Sequence, residues 1–182
     1  MKDIYHSDEI SVVVDNNVLV DLYEIGCLHL LFSVFDHVVI PQVIFNDELP
    51  EAIRTFLDTF PYKLGLIKTE LGLETYGLLV TDIEFRKLSK YDCFAISIAR
   101  ENYYYCNSND KPVRNACMKL NVKYTGVLGV LGRAYIKDII TKVELVKLLE
   151  LLSTDATSCY IDLYIIEVFK EEILLEKEST NS

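Results

Sequence analysis

SVVVDNNVLVDL, residues 11–22, runs three valines straight into a carboxylate and then into apolar residues at helical spacing. An unbroken β-branched run reads as a strand covered on both faces. Apolar residues recurring at 18, 19, 22, 25 and 28 read as the helix that follows it. Asp15 would then stand at the carboxyl end of a buried strand, the mouth at which open α/β sheets hold their ligands. A surface acid has many explanations, but an acid closing a triple-valine strand has few.

The bulk composition narrows the setting. A chain of 182 residues with 51% hydrophobic and 25% charged residues fits one globular domain with a substantial core. No apolar run approaches the roughly 18 residues of a membrane span, and MKDIYHSDEI is polar and acidic where a secretory leader is basic and then apolar. The expectation is a cytoplasmic protein without a membrane partner. Five cysteines (27, 93, 106, 117 and 159) make an odd set with no CxxC pair, mostly in apolar surroundings, as reduced core thiols do. The net charge of −10 argues against broad, charge-driven nucleic-acid binding. It leaves room for a local basic patch, or for a divalent cation that meets phosphate, and most of it serves solubility.

Periodicity and punctuation predict strands over Val12–Val14, His37–Ile40, Tyr62–Lys68, Tyr103–Asn107 and the VKYTG segment ending at Gly126. Helices are predicted over Val18–Phe32, after Pro41, from about Glu70, over Asp92–Glu101 with a Ser89–Asp92 capping box, and within SNDKPVRNACMKL. Val127 to about Val168 reads as mostly helical, and the last ten or so residues as a fraying polar tail. Strands alternating with helices imply a three-layer α/β/α fold with a mainly parallel central sheet and extra C-terminal helices. No repeat or Gly/Ser linker divides the chain. Residues 1–140 are expected to form the main domain and 141–182 a helical extension of it. The apolar face of LVKLLELL (residues 145–152) can serve a partner, though core burial is its more ordinary use.

Acids recur at the element boundaries. Asp110 lies just beyond the YYYCN strand, Asp92 opens the helix leading into that strand, and parallel strands bring such ends to one side. In IPQVIFNDEL, Asp47 extends the stripe of Val43 and Ile44, with Glu48 as its neighbour and possible substitute. Taken singly, Asp92 can favour a helix N-terminus, Asp110 can be a turn residue, and Asp47 and Glu48 can be a solvated face. Gathered together, such carboxylates repel and protonate unless a cation compensates. Oxygen-rich sites suit Mg²⁺ or Mn²⁺. His6, His29 and His37 lack zinc-ligand spacing, and no GxxxxGK or GxGxxG loop is present. The residues by themselves reach a metal-dependent α/β protein acting on phosphate.

The same residues resemble the PIN-domain ribonucleases, in particular the VapC-type toxins of toxin–antitoxin pairs. VVVDNNVLVDL is similar to the family's opening strand, Asp-x-Asn and apolar helix. IPQVIFNDEL resembles its proline-led helix carrying an acid, LSKYDCFAISIAR its Leu-Ser, aspartate and Ala-rich helix, and CNSNDKPVRNAC its Thr/Ser-x-Asp turn followed by arginine. VKYTGVLGVL resembles the short strand with glycine and apolar helix that closes the motif series, so the likeness runs from about residue 11 to 136. It implies Asp15, Asp47, Asp92 and Asp110 as metal-binding, catalytic acids, with Glu48 standing in if Asp47 is too short. Asn17 and Ser108 become polar supports, and Lys111 and Arg114, otherwise a surface pair, candidates to touch phosphate. Two departures stand out: an aspartate where the family usually has glutamate, and Ser108 where threonine is usual.

The activity implied is hydrolysis of phosphodiester bonds in single-stranded RNA with one or two Mg²⁺ (or Mn²⁺) ions, with an antitoxin partner and a homodimer also implied. One alternative keeps the fold without the chemistry, as a catalytically inactive PIN-like binding module. Another makes Asp15 a phosphoryl acceptor. Phosphatases of that kind want a second acid where Asn17 stands, and receiver domains place the acceptor on a later strand.

Overall fold

A computed structural model describes residues 3–7, 9–154 and 161–180. Five parallel strands form one sheet: β1 (Ser11–Val14), β2 (His37–Pro41), β3 (Lys63–Gly65), β4 (Tyr105–Asn107) and β5 (Tyr124–Thr125), in the order β3-β2-β1-β4-β5. Val13 pairs with Val39 on one side and Cys106 on the other, so β1 has no free edge. Val12, Val13 and Val14 are wholly buried because both faces are covered. Val12 and Val14 join the larger core cluster, and Val13 the smaller one on the opposite face.

The larger core lies under α2 (Asn16–Glu24), α3 (His29–Val34), α5 (Glu51–Leu57) and α9 (Val127–Ile136). The short α1 (Asp3–His6), α10 (Lys142–Leu152) and α11 (Leu163–Thr180) pack outside α9. The smaller core lies under α6 (Glu70–Thr81), α7 (Lys90–Asn102) and α8 (Lys111–Lys119). α4 (Gln42–Asp47) bridges the end of β2 to α7. The architecture is the three-layer α/β/α fold that the alternation of strands and helices predicts, with two helices added at the C-terminal side. Leu145, Leu149 and Leu152 of α10 are buried in the larger core. Cys27, Cys93, Cys106 and Cys117 are buried free thiols; Cys159 lies outside the described residues. Among the described residues no helix is long and apolar enough to cross a membrane.

Three elements differ from the sequence reading. The single helix predicted over Val18–Phe32 is two, because Gly26 takes a left-handed φ of 71°. The amide of Cys27 turns back to the Leu22 carbonyl at 2.8 Å, closing α2 as glycine-terminated helices do. The strand predicted over Tyr62–Lys68 is only three residues long. The predicted fraying tail is instead the end of α11, which continues to Thr180. Ile166 and Ile173 bury one face of α11, and the Lys177 ammonium donates to the Tyr135 and Ile136 carbonyls at 3.2 and 2.7 Å. Those carbonyls end α9, where a cation complements both the unpaired acceptors and the helix dipole.

A candidate metal centre at the carboxyl end of the sheet

Asp15 leaves β1 and caps α2. Its extended backbone (φ −82°, ψ 156°) turns the side chain back on the helix, and Oδ1 accepts the Asn16 amide at 2.8 Å. Oδ2 accepts the Ser108 hydroxyl at 2.8 Å and the Asn17 side-chain amide at 3.0 Å. Asn17 and Ser108, read as polar supports, thus both touch this carboxylate. The Ser108 oxygen also accepts the Asp110 amide at 3.2 Å, so one buried hydroxyl ties Asp15 to the turn that carries Asp110. The central place of β1 beside β4 makes this possible: the Asp15 amide continues the ladder onto the Asn107 carbonyl at 3.0 Å.

Asp92 arrives from the other face. It sits in the first turn of α7 and completes the capping box with Ser89, accepting the Ser89 amide at 2.6 Å while its own amide donates to Ser89 Oγ at 3.1 Å. Asp110 precedes α8 and makes no side-chain cap bond to it. Asp15, Asp92 and Asp110 each offer a carboxylate oxygen within 4.8 Å of the others.

Burial above all, then the charge of Asp92, pushes Asp15 up to about 7, against the pull of the Ser108 and Asn16 donors. Asp92 is raised as well, chiefly by burial, with Asp110 adding. Among the described residues no lysine or arginine forms an ion pair with any of the three. The all-oxygen donor set suits a hard divalent cation. Two ligands of one Mg²⁺ at about 2.1 Å stand at most about 4.2 Å apart, so a small side-chain adjustment brings this group onto a shared ion. The residues fit the metal.

A family model described as PIN domain matches residues 11–173. The chain belongs to the PIN-domain family. A search of curated proteins finds no match. PIN domains are generally nucleases with acidic metal-binding residues, and the acid cluster of this PIN domain lies where its three elements converge.

The other expected residues fall around the cluster. Asp47 is outside the group of three. It is half-exposed and accepts the Tyr91 hydroxyl at 3.3 Å, with Lys90 Nζ at 3.5 Å. Glu48, one residue on, is raised by partial burial first and then by the charge of Asp92, with Lys90 opposing. Its carboxyl therefore lies within the field of the cluster. Lys111 and Arg114 are exposed on α8, directly after Asp110.

The sequence reading missed the brace beneath this PIN-domain site. The Asn109 side-chain amide donates to buried Asp21 at 2.6 Å, and Asn109 Oδ1 accepts the Val127 amide at 3.0 Å. The turn between Ser108 and Asp110 is thereby fastened to α2 and α9 at once. Gly126 is needed there, because a Cβ would come within 2.5 Å of Asn109 Oδ1. The available signal was Asp21 itself, an acid adjoining the apolar stripe of Val18, Leu19 and Leu22.

Proposed function

We propose that this PIN domain is a metal-dependent endoribonuclease that hydrolyses phosphodiester bonds in single-stranded RNA, using Mg²⁺ or Mn²⁺. The observation that carries the reading is the uncompensated cluster of Asp15, Asp92 and Asp110 at the mouth of the sheet. A bound divalent cation would supply charge neutralisation and an acidified water for in-line attack on the phosphorus. Asp15, Asp92 and Asp110 would hold it, and Asn17 and Ser108 fix the Asp15 carboxylate through their hydrogen bonds to Oδ2. Glu48 serves as the fourth acid in preference to Asp47, whose carboxylate is engaged by Tyr91 and Lys90. Lys111 and Arg114 meet phosphates of the strand beside Asp110. Residues 141–182 belong to the same domain, a reading supported by the burial of Leu145, Leu149 and Leu152 against the main core.

The role proposed is the toxin of a type II toxin–antitoxin pair of VapC type, working in the cytoplasm as a homodimer and restrained by an antitoxin. This finer reading rests on the motif resemblance of Asp15-x-Asn17, Leu88-Ser89 and Ser108-x-Asp110. Purified protein with Mn²⁺ is expected to cleave tRNA and mRNA fragments, and Asp15→Asn to lose at least a hundredfold in rate. Equal cleavage by the two proteins defeats the nuclease reading. Metal binding without cleavage by either would favour the catalytically inactive binding module instead.

A further inference from the structure

The turn before α7 and one face of α8 enclose an open-sided groove of about 220 Å³. Pro112, Asn115 and Lys119, spaced by three and then four residues, present one face of α8 to it, while Phe85 and Lys87 line it from the turn. Both walls adjoin the acid cluster in sequence. Leu88 precedes Ser89, whose amide holds Asp92, and Pro112 follows Asp110 by two residues. The groove therefore leads from the cluster along α8, a helix of about 14 Å.

Charge is distributed unevenly towards this place. Residues 84–90 and 111–119 hold six of the chain's 18 lysines and arginines and one of its 28 acids, on a chain of net charge −10. A polyanion is drawn to such a patch, and its phosphates release counterions there. The sole acid, Glu84, forms an ion pair with Lys119, whose ammonium also lies 6.0 Å from the centre of the Phe85 ring. Met118, largely exposed, adds apolar surface at the rim. The volume is below the roughly 300–1,000 Å³ of sites that enclose a small molecule. Phe85 is itself buried in the smaller core and forms the floor, so a short length of polymer, with a base against exposed Met118 and phosphates at the lysines, matches both shape and charge.

We propose that this groove seats the single-stranded RNA segment flanking the scissile bond, with Lys87 and Lys119 as its phosphate contacts and Glu84 as the competitor a phosphate must displace. The identity of the polymer rests on the nuclease reading; the groove's affinity for it does not require cleavage. The test is fluorescence anisotropy of a fluorescein-labelled oligouridylate in EDTA, with the full chain. Lys87→Gln and Lys119→Gln are each expected to weaken binding roughly three- to tenfold and to flatten the salt dependence by about 0.7 in the log–log slope. Glu84→Gln, which releases Lys119, is expected to tighten binding severalfold, a gain that mere structural damage would not produce. Lys142→Gln on α10 is the neutral control.

Absent binding by the wild type, unchanged binding in both lysine variants, loss of affinity in Glu84→Gln, or equal affinity for duplex RNA each overturns the groove. Cleavage with Mn²⁺ is scored separately. Groove-dependent binding without cleavage sinks the nuclease reading and leaves the groove standing. Cleavage that the groove variants leave untouched does the reverse.

Discussion

Asp15 accepts three hydrogen bonds that favour its charged form, yet it is only 4% exposed and shares its surroundings with two further carboxylates. Burial wins, raising it to about 7. An acid raised above its unfolded value of about 3.9 stabilises the fold relatively below that value, and the contribution is lost as pH rises through the folded one. For Asp15 the loss falls between about pH 4 and pH 7, with a ceiling of ~4 kcal/mol. Metal-free protein is therefore expected to melt at a lower temperature at about pH 8 than at about pH 5, and Asp15→Asn to flatten that difference. Thermal unfolding in EDTA checks this; a variant less stable than the wild type at the higher pH would contradict it. Asp15 was legible from sequence because three valines in a row leave an acid few other reasons to follow them. Asn109 was not, since its partner Asp21 is 88 residues away, and the place of Asp21 beside an apolar stripe marks that acid without pointing to Asn109.

Elements were legible where their cause is local. The Ser89–Asp92 capping box needs only four residues and forms as expected. The break at Gly26 was hidden because apolar spacing continues across it, whereas the backbone there follows the glycine's left-handed turn. The end of α11 was misread because Glu171, Glu172, Glu176, Lys177 and Glu178 look like a solvated tail. The deciding signal was the 3-and-4 spacing of Ile166, Phe169 and Ile173, with Lys177 four residues further on the same side. Lys177 is buried against the last carbonyls of α9 and also pairs with Asp138 at 2.8 Å. Lys177→Met is expected to cost ~2 kcal/mol, because it strands buried acceptors at the end of α9. Urea denaturation measures it, and a midpoint unchanged from the wild type would show that the carbonyls find other partners.

Across the whole molecule, strand order explains why residues far apart in the chain converge. With β1 between β2 and β4, Asp15 meets Ser108 and Asp110 from one neighbour, while α4, leaving the other, reaches α7 and its Asp92. The fold was legible because alternating strands and helices admit few arrangements; which acid of the Asp47–Glu48 pair turns inward depends on where a six-residue helix stops, and sequence does not fix that. The central claim is that Asp15, Asp92 and Asp110 share one divalent cation. Calorimetric titration of Mn²⁺ into the wild type and Asp92→Asn tests it most directly, since asparagine preserves the helix cap while removing one charge. Wild-type affinity is expected to increase as pH rises through about 7, where Asp15 gives up its proton. The variant is expected to bind at least tenfold more weakly with its circular dichroism unchanged. Equal Mn²⁺ affinity in the two proteins would contradict the account.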